Sequence, residues 1–209
     1  FIIGAVKKGF SPENVCGFDI DENAVLITKK RIKDLCGYKS ENIVCADFLS
    51  RQPSAVSHQP SVLRFDYIFT NPPWGKKLNK KDKNNYSELY NSGNSSDTSS
   101  LFYFASLQKL KENGKIGFLL PDSFFNITTF EDARKSLLNL NIERLIDYGK
   151  PFKGLMTKAM AFVAVSCQPS AVSNDVSCEI YDVKKHLRLQ RSFFDIPKHI
   201  LNFHIDERE

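Results

Sequence analysis

Apolar residues in this chain fall in short runs that end on a polar residue. Between the runs, apolar positions recur three and four apart. The runs at 15–20, 43–46, 65–70, 116–120, 142–148 and 159–166 read as buried strands, with 179–183 a candidate seventh. After the first run, Asp21-Glu22-Asn23 supplies a cap and first-turn acid for a helix carrying Ala24, Val25, Ile27, Ile32 and Leu35, which Gly37 stops. The spacing over 101–110 predicts an amphipathic helix ended at Asn113-Gly114, and Thr129 is placed to cap another reaching residue 139. Strands alternating with helices predict an α/β fold with a mainly parallel, doubly wound sheet. Such sheets bind ligands beyond the carboxyl ends of their strands, where this sequence puts Asp19, Asp47, Asn71 and Asp122.

Two stretches break the pattern. Gln-Pro-Ser-Ala-Val-Ser occurs at 52–57 and again at 168–173, which reads as inserted low-complexity loops. Residues 75–100 hold Lys76, Lys77, Lys80, Lys81 and Lys83 before an Asn-, Ser- and Gly-rich run, and read as one long irregular loop, either a functional lid or disordered. With 209 residues, 42% of them hydrophobic, the chain has material for one large core and is not a disordered polyelectrolyte. The longest apolar runs fall far short of a membrane span. Five cysteines without a CxxC pair indicate neither a disulfide framework nor a zinc site, and suggest a reducing cytoplasm. His58, His186, His199 and His204 show no ligand spacing, so no metal is expected. A net charge of +5 permits nucleic-acid binding without identifying it.

The chemistry concentrates in Asn71-Pro72-Pro73-Trp74, directly after the run Phe65-Asp66-Tyr67-Ile68-Phe69-Thr70. Consecutive prolines donate no hydrogen bond and hold the preceding residues extended. The turn therefore offers backbone carbonyls, the Asn71 side-chain oxygen and the flat face of Trp74 at one place. Two acceptors beside an aromatic suit a planar group bearing an NH2. The competing reading is a strand-terminating turn with Trp74 in the core; its position at the ligand edge favours a site.

The motif resembles the signature of S-adenosylmethionine-dependent amino-methyltransferases, specifically the gamma-class N6-adenine DNA methyltransferases of restriction–modification systems. Other segments resemble that family in the same order over residues 1–166. Gly17-Phe18-Asp19-Ile20-Asp21 is similar to its second motif, which implies cofactor contacts at Asp19 and Ile20, the acid on the ribose hydroxyls. Ala46-Asp47-Phe48-Leu49 is similar to the third, which implies Asp47 and Phe48 at the cofactor adenine. Ser100-Leu101-Phe102 resembles the fifth, placing Phe102 at the methionine end. Gly114-Lys115-Ile116-Gly117-Phe118-Leu119-Leu120-Pro121 resembles the structural sixth. Asp147-Tyr148-Gly149-Lys150-Pro151-Phe152-Lys153-Gly154 resembles the eighth, in which Phe152 packs on the flipped target base with Trp74.

The resemblance implies a Rossmann-like methyltransferase fold, S-adenosyl-L-methionine as cofactor and double-stranded DNA as partner, with a restriction endonuclease or specificity module as a further partner. Lys76, Lys77, Lys80 and Lys81 would then contact DNA phosphates. Asn71, Pro72, Pro73 and Trp74 form the catalytic set. The family's Gly-rich first motif and first strand have no counterpart here, because 1–6 look like the helix next to them in the family's order. Residues 1–166 are thus expected to form an N-terminally truncated catalytic domain, and 167–209 a linker and the start of a C-terminal region. No cysteine follows a proline, which disfavours cytosine-C5 chemistry. Two other readings compete: an amino-methyltransferase acting on a protein glutamine or on RNA, and a non-catalytic remnant or DNA-binding module.

Overall fold

The computed structural model describes residues 1–50, 64–152, 154, 156–168 and 171–204. The first copy of the repeated hexapeptide, part of the second, and Lys153 of the eighth-motif resemblance lie outside the described residues. The chain divides into two compact units, Phe1–Ser61 and Val62–Glu209.

In the first unit, helix α1 (Ile2–Lys7) and a short 3-10 turn precede strand β1 (Gly17–Asp19), helix α2 (Glu22–Cys36) and strand β2 (Ile43–Cys45). The start of α2 is set by Asp21, whose carboxylate accepts the Asn23 N–H; its end is set by Gly37, left-handed at φ 74. Of the five apolar positions predicted to define the helix, Val25 and Ile32 are buried, while Ile27 and Leu35 are exposed. Val25, Ile32 and Ile43 form a small core, with Ile2, Ile3 and Tyr38 packed against it. β1 and β2 pair in parallel with Asp19 opposite Cys45, and the Ala46 N–H extends the ladder to the Asp19 carbonyl.

The second unit holds one six-stranded sheet in the order β3-β4-β6-β5-β7-β8. Its strands are β3 (Phe65–Thr70), β4 (Leu110–Pro121), β5 (Asn141–Asp147), β6 (Ala159–Val165), β7 (Asp175–Ile180) and β8 (Lys185–Gln190). β3, β4, β5 and β7 run one way and β6 and β8 oppose them, so four of the six strands share a direction while three of the five pairings are antiparallel. One edge therefore collects the carboxyl ends of β3, β4, β5 and β7, as sequence alternation predicts. The expected boundary at 166 falls inside this sheet, since β7 and β8 extend it. β8 has no counterpart among the predicted runs; its alternating exposure, with Lys185, Leu187 and Leu189 half-buried, marks a one-sided edge strand.

Three helical expectations are corrected. The segment 75–100 is not one irregular loop: α3 (Lys80–Tyr90) occupies its middle. Asn79 caps that helix by accepting the Asp82 N–H, Tyr86 stacks on Tyr90 one turn on, and Asn91 ends it at φ 53. Polar composition concealed this helix. The next, α4 (Thr98–Lys109), starts before the predicted 101 because Asp97 caps it through the Ser99 N–H. Thr129 caps nothing: it lies in a 3-10 turn after the short α5 (Ser123–Asn126), and α6 (Glu131–Leu138) begins without a side-chain cap.

The core of this unit is aromatic. Phe118 of β4 and Phe162 of β6 face each other in register and stack with ring centres 5.6 Å apart. Tyr103 of α4 meets both edge-on at 6.0 and 5.9 Å. Its hydroxyl contacts Ser136 Oγ at 3.3 Å, and burial holds its pKa far above the usual phenol value. Gly117 lies directly under the Phe69 ring, where a Cβ would clash, so β3 and β4 close tightly just before the turn at 71.

Candidate functional site

The turn at 71–74 begins where β3 ends. Pro72 is buried and Asn71 exposed. Two elements brace the stretch from Pro73 to Lys76. From α4, Ser99 Oγ donates to the Pro73 carbonyl at 3.3 Å and Thr98 Oγ1 to the Lys76 carbonyl at 2.5 Å. From β4, the Leu119 carbonyl accepts the Trp74 indole N–H at 3.3 Å. The Pro73 carbonyl is thus already engaged. The Asn71 side chain and the Pro72 carbonyl receive no hydrogen bond from a described residue. Two acceptors remain for an incoming donor.

Trp74 is half-buried and meets Phe152 edge-on, centres 5.8 Å apart and planes at 69°. Phe152 reaches it from the loop that follows the end of β5. The base of that loop is closed by Tyr148 N–H to the Ala159 carbonyl at 2.9 Å and Ala159 N–H to the Gly149 carbonyl at 2.8 Å. Gly149 sits at φ 63 against the Asp182 carboxylate, a place no Cβ would fit. Next to it, burial and the neighbouring Tyr181 raise the Tyr148 pKa, so this phenol stays neutral. The structure therefore brings Asn71, Pro72, Trp74 and Phe152 together at one sheet edge. Phe102 is half-buried on α4, one turn beyond the bracing Ser99.

Lys76 and Lys77 are exposed directly after the turn, and Lys80 and Lys81 are exposed in the first turn of α3. A helix amino end already carries partial positive charge, so lysines there reinforce one another as an anion-attracting field.

In the first unit, Asp19 and Asp47 stand at the carboxyl ends of the paired strands β1 and β2. Asp19 accepts the Asp21 N–H at 3.0 Å, and Asp47 accepts the Leu49 N–H at 3.0 Å. Each bond uses Oδ1, and the second oxygen of each carboxylate takes no hydrogen bond from a described residue. The rings of Phe18 and Phe48 flank this edge 5.9 Å apart, and Ile20 is exposed beside them. Division of labour between the acids is clear: Asp21 caps α2, leaving Asp19 outward. Exposed carboxylates with open oxygens beside aromatic rings fit the hydroxyls, amine and flat ring of a nucleoside.

Sequence reasoning missed Thr98 and Ser99, which hold the turn. Their signal was the Asp97 cap ahead of three consecutive hydroxyl residues, all buried in the structure.

One unit carries a parallel strand pair ending at two acids, and the other an α/β sheet with an Asn-Pro-Pro-Trp turn at a strand end; each has the strand-end chemistry of a Rossmann-like fold of the methyltransferase type. The family model described as Eco57I restriction-modification methylase matches residues 13–153, and the chain belongs to that family. It is 45% identical over 217 residues to Type II methyltransferase M.VspI of Vibrio sp. (strain 343), covering 99% of this chain and 49% of that protein. The chain thus spans about half the length of this curated relative. Among solved structures it resembles a Listeria monocytogenes protein assigned to the class I S-adenosylmethionine-dependent methyltransferases, with TM-score 0.63 and 20% identity over 86% of this chain and 53% of that one. It also resembles DrdV, solved as a DNA complex, with TM-score 0.66 and 13% identity over 99% of this chain and 26% of that one.

Proposed function

We propose that this chain carries the catalytic region of a DNA methyltransferase that modifies the N6 amine of adenine. The observation that carries the reading is the pair of unengaged acceptors at Asn71 and Pro72 beside Trp74. Family membership supports the methyltransferase class. S-adenosyl-L-methionine, when bound, supplies an electrophilic methyl group. Asp19 and Ile20 would hold its ribose, Asp47 and Phe48 its adenine, and Phe102 would line its methionine end.

An exocyclic adenine amine is a poor nucleophile because its lone pair is delocalised into the ring. Asn71 Oδ1 and the Pro72 carbonyl accept its two hydrogens, draw the nitrogen toward tetrahedral geometry and stabilise the positive charge that develops there. The contribution is positioning and charge stabilisation, with no covalent intermediate on the protein. A target nitrogen inside a duplex is out of reach, so the base is extruded and Trp74 and Phe152 replace its lost stacking. Lys76, Lys77, Lys80 and Lys81 hold the strand by its phosphates. The same pair of acceptors would also suit a glutamine amide or a guanine amine. The lysine cluster favours a nucleic acid over a protein, and the eighth-motif resemblance around Phe152, with the match to a restriction-modification methylase family, supports DNA.

Labelled methyl transfer from S-adenosylmethionine to duplex DNA, RNA and a glutamine-bearing protein, offered in parallel, tests the reading. Label is expected in DNA alone. Preferential labelling of RNA or protein would replace DNA as the substrate, and no label in any acceptor would leave the non-catalytic reading.

A further inference from the structure

Asp147 is the one aspartate among the described residues that is buried, and the proposed methyl transfer does not use it. It ends β5, immediately before the loop that presents Phe152 to Trp74. Its Oδ1 accepts the Gly149 N–H at 2.6 Å, and its Oδ2 lies 2.7 Å from His204 Nε2. A carboxylate accepts only, so the imidazole donates from Nε2. Both oxygens are thereby spent on fixing two other parts of the chain.

His204 is not delivered there by chance contact. The segment before it is fastened at two further points. Arg134 of α6, fully buried, donates from Nε to the His199 carbonyl and from Nη2 to the Lys198 carbonyl, both at 2.8 Å. Its remaining nitrogen, Nη1, holds the Phe124 and Ile127 carbonyls at 2.8 and 2.7 Å. Leu201 N–H then bonds the Phe125 carbonyl at 2.8 Å, and the side chains of Leu201 and Phe203 are buried. His204 stacks on Phe203 with planes 11° apart and turns its Nε2 onto Asp147.

We infer that Asp147 is a positioning residue for the base pocket: held by His204 at the end of the 197–204 strap, it fixes the Gly149 turn that sets Phe152, three residues on, against Trp74. This rests on the reading of Trp74 and Phe152 as the base-stacking pair. The alternative role for the contact is stability alone, tying down the strap without affecting the loop. A charge-assisted hydrogen bond is strong enough to bias a short loop about tenfold between seated and released.

Trp74 is the only tryptophan in the chain, so its fluorescence reports directly on the loop without any ligand. In this 209-residue chain, acrylamide quenching of Trp74 is compared among wild type, His204→Ala, His204→Gln and Phe152→Ala, with thermal unfolding alongside. Gln keeps an N–H at the Nε2 position; Ala does not. His204→Ala is expected to raise quenching most of the way to the Phe152→Ala value and to lower kcat for methyl transfer about tenfold, with cofactor Kd unchanged. His204→Gln is expected to restore both. The inference is overturned if His204→Ala lowers the unfolding temperature while quenching stays at the wild-type value, or if Gln and Ala behave alike. Should His204→Ala fail to fold, Asp147→Ala removes both bonds at the other partner: raised quenching supports the inference and unchanged quenching overturns it. Because quenching needs no substrate, failure of the methyl-transfer reading would show separately, as absent turnover with the Trp74 response intact.

Discussion

The two units carry their strand-end chemistry in contrasting ways. In residues 1–61, the carboxylates of Asp19 and Asp47 are held, among the described residues, by tight turns two residues on, on a two-stranded sheet over a small cluster of Val25, Ile32 and Ile43. In residues 62–209, the turn at 71–74 is gripped from β4 and α4, on a six-stranded sheet packed with stacked aromatic rings. A site that must bend a reacting amine needs fixed acceptors, whereas hydroxyl and amine groups of a nucleoside can be met by exposed carboxylates that settle on binding. The contrast teaches that rigidity is placed where chemistry is proposed, and left out where recognition suffices.

The largest effect should come from the rigid side. Asn71→Ala removes one of two acceptors and is expected to cut kcat by about a hundredfold or more while cofactor Kd holds, as isothermal titration would show. Equal loss of cofactor binding would mean that catalysis and cofactor binding are not separable at Asn71. Next, Arg134→Met leaves four carbonyls, one buried and three partly buried, without their donor and should cost roughly 3 kcal/mol in urea unfolding. Ser99→Ala frees the Pro73 carbonyl; about 1 kcal/mol of stability and a several-fold fall in kcat are expected together. On the softer side, Asp21→Ala removes the α2 cap and should cost about 1 kcal/mol locally. Hydrogen exchange would then quicken in α2 and leave β4 and β6 protected; quickening in both would erase the contrast. Smallest is thiol reactivity: the exposed Cys36 and Cys45 should react with a disulfide reagent at about pH 8, whereas burial pushes the Cys178 thiol up to about 12 and should keep it silent until unfolding.

Much of this was legible in the residues themselves. Phe65–Thr70 is bounded in the structure as the run of β-formers and the prolines after it require, and Asp21 with Gly37 marks both ends of α2. The hidden parts share a physical cause: their signals are polar side chains that the fold buries or engages. Thr98 and Ser99 look like loop residues until α4 puts their hydroxyls on backbone carbonyls of the turn. α3 lacks an apolar stripe and depends on Asn79 and a Tyr86–Tyr90 pair. Arg134 and His204 act through partners far along the chain, Lys198 and His199 for one and Asp147 for the other, and no local pattern announces such a pairing.

The central claim is that Asn71 and Pro72 hold a planar amine of an extruded adenine. The most direct test digests DNA treated with wild-type protein and with Asn71→Ala, then identifies the methylated nucleoside by mass spectrometry. N6-methyladenine from the wild type and almost none from the variant is the predicted result. A methyl group on cytosine C5, or equal N6-methyladenine from Asn71→Ala, would contradict it.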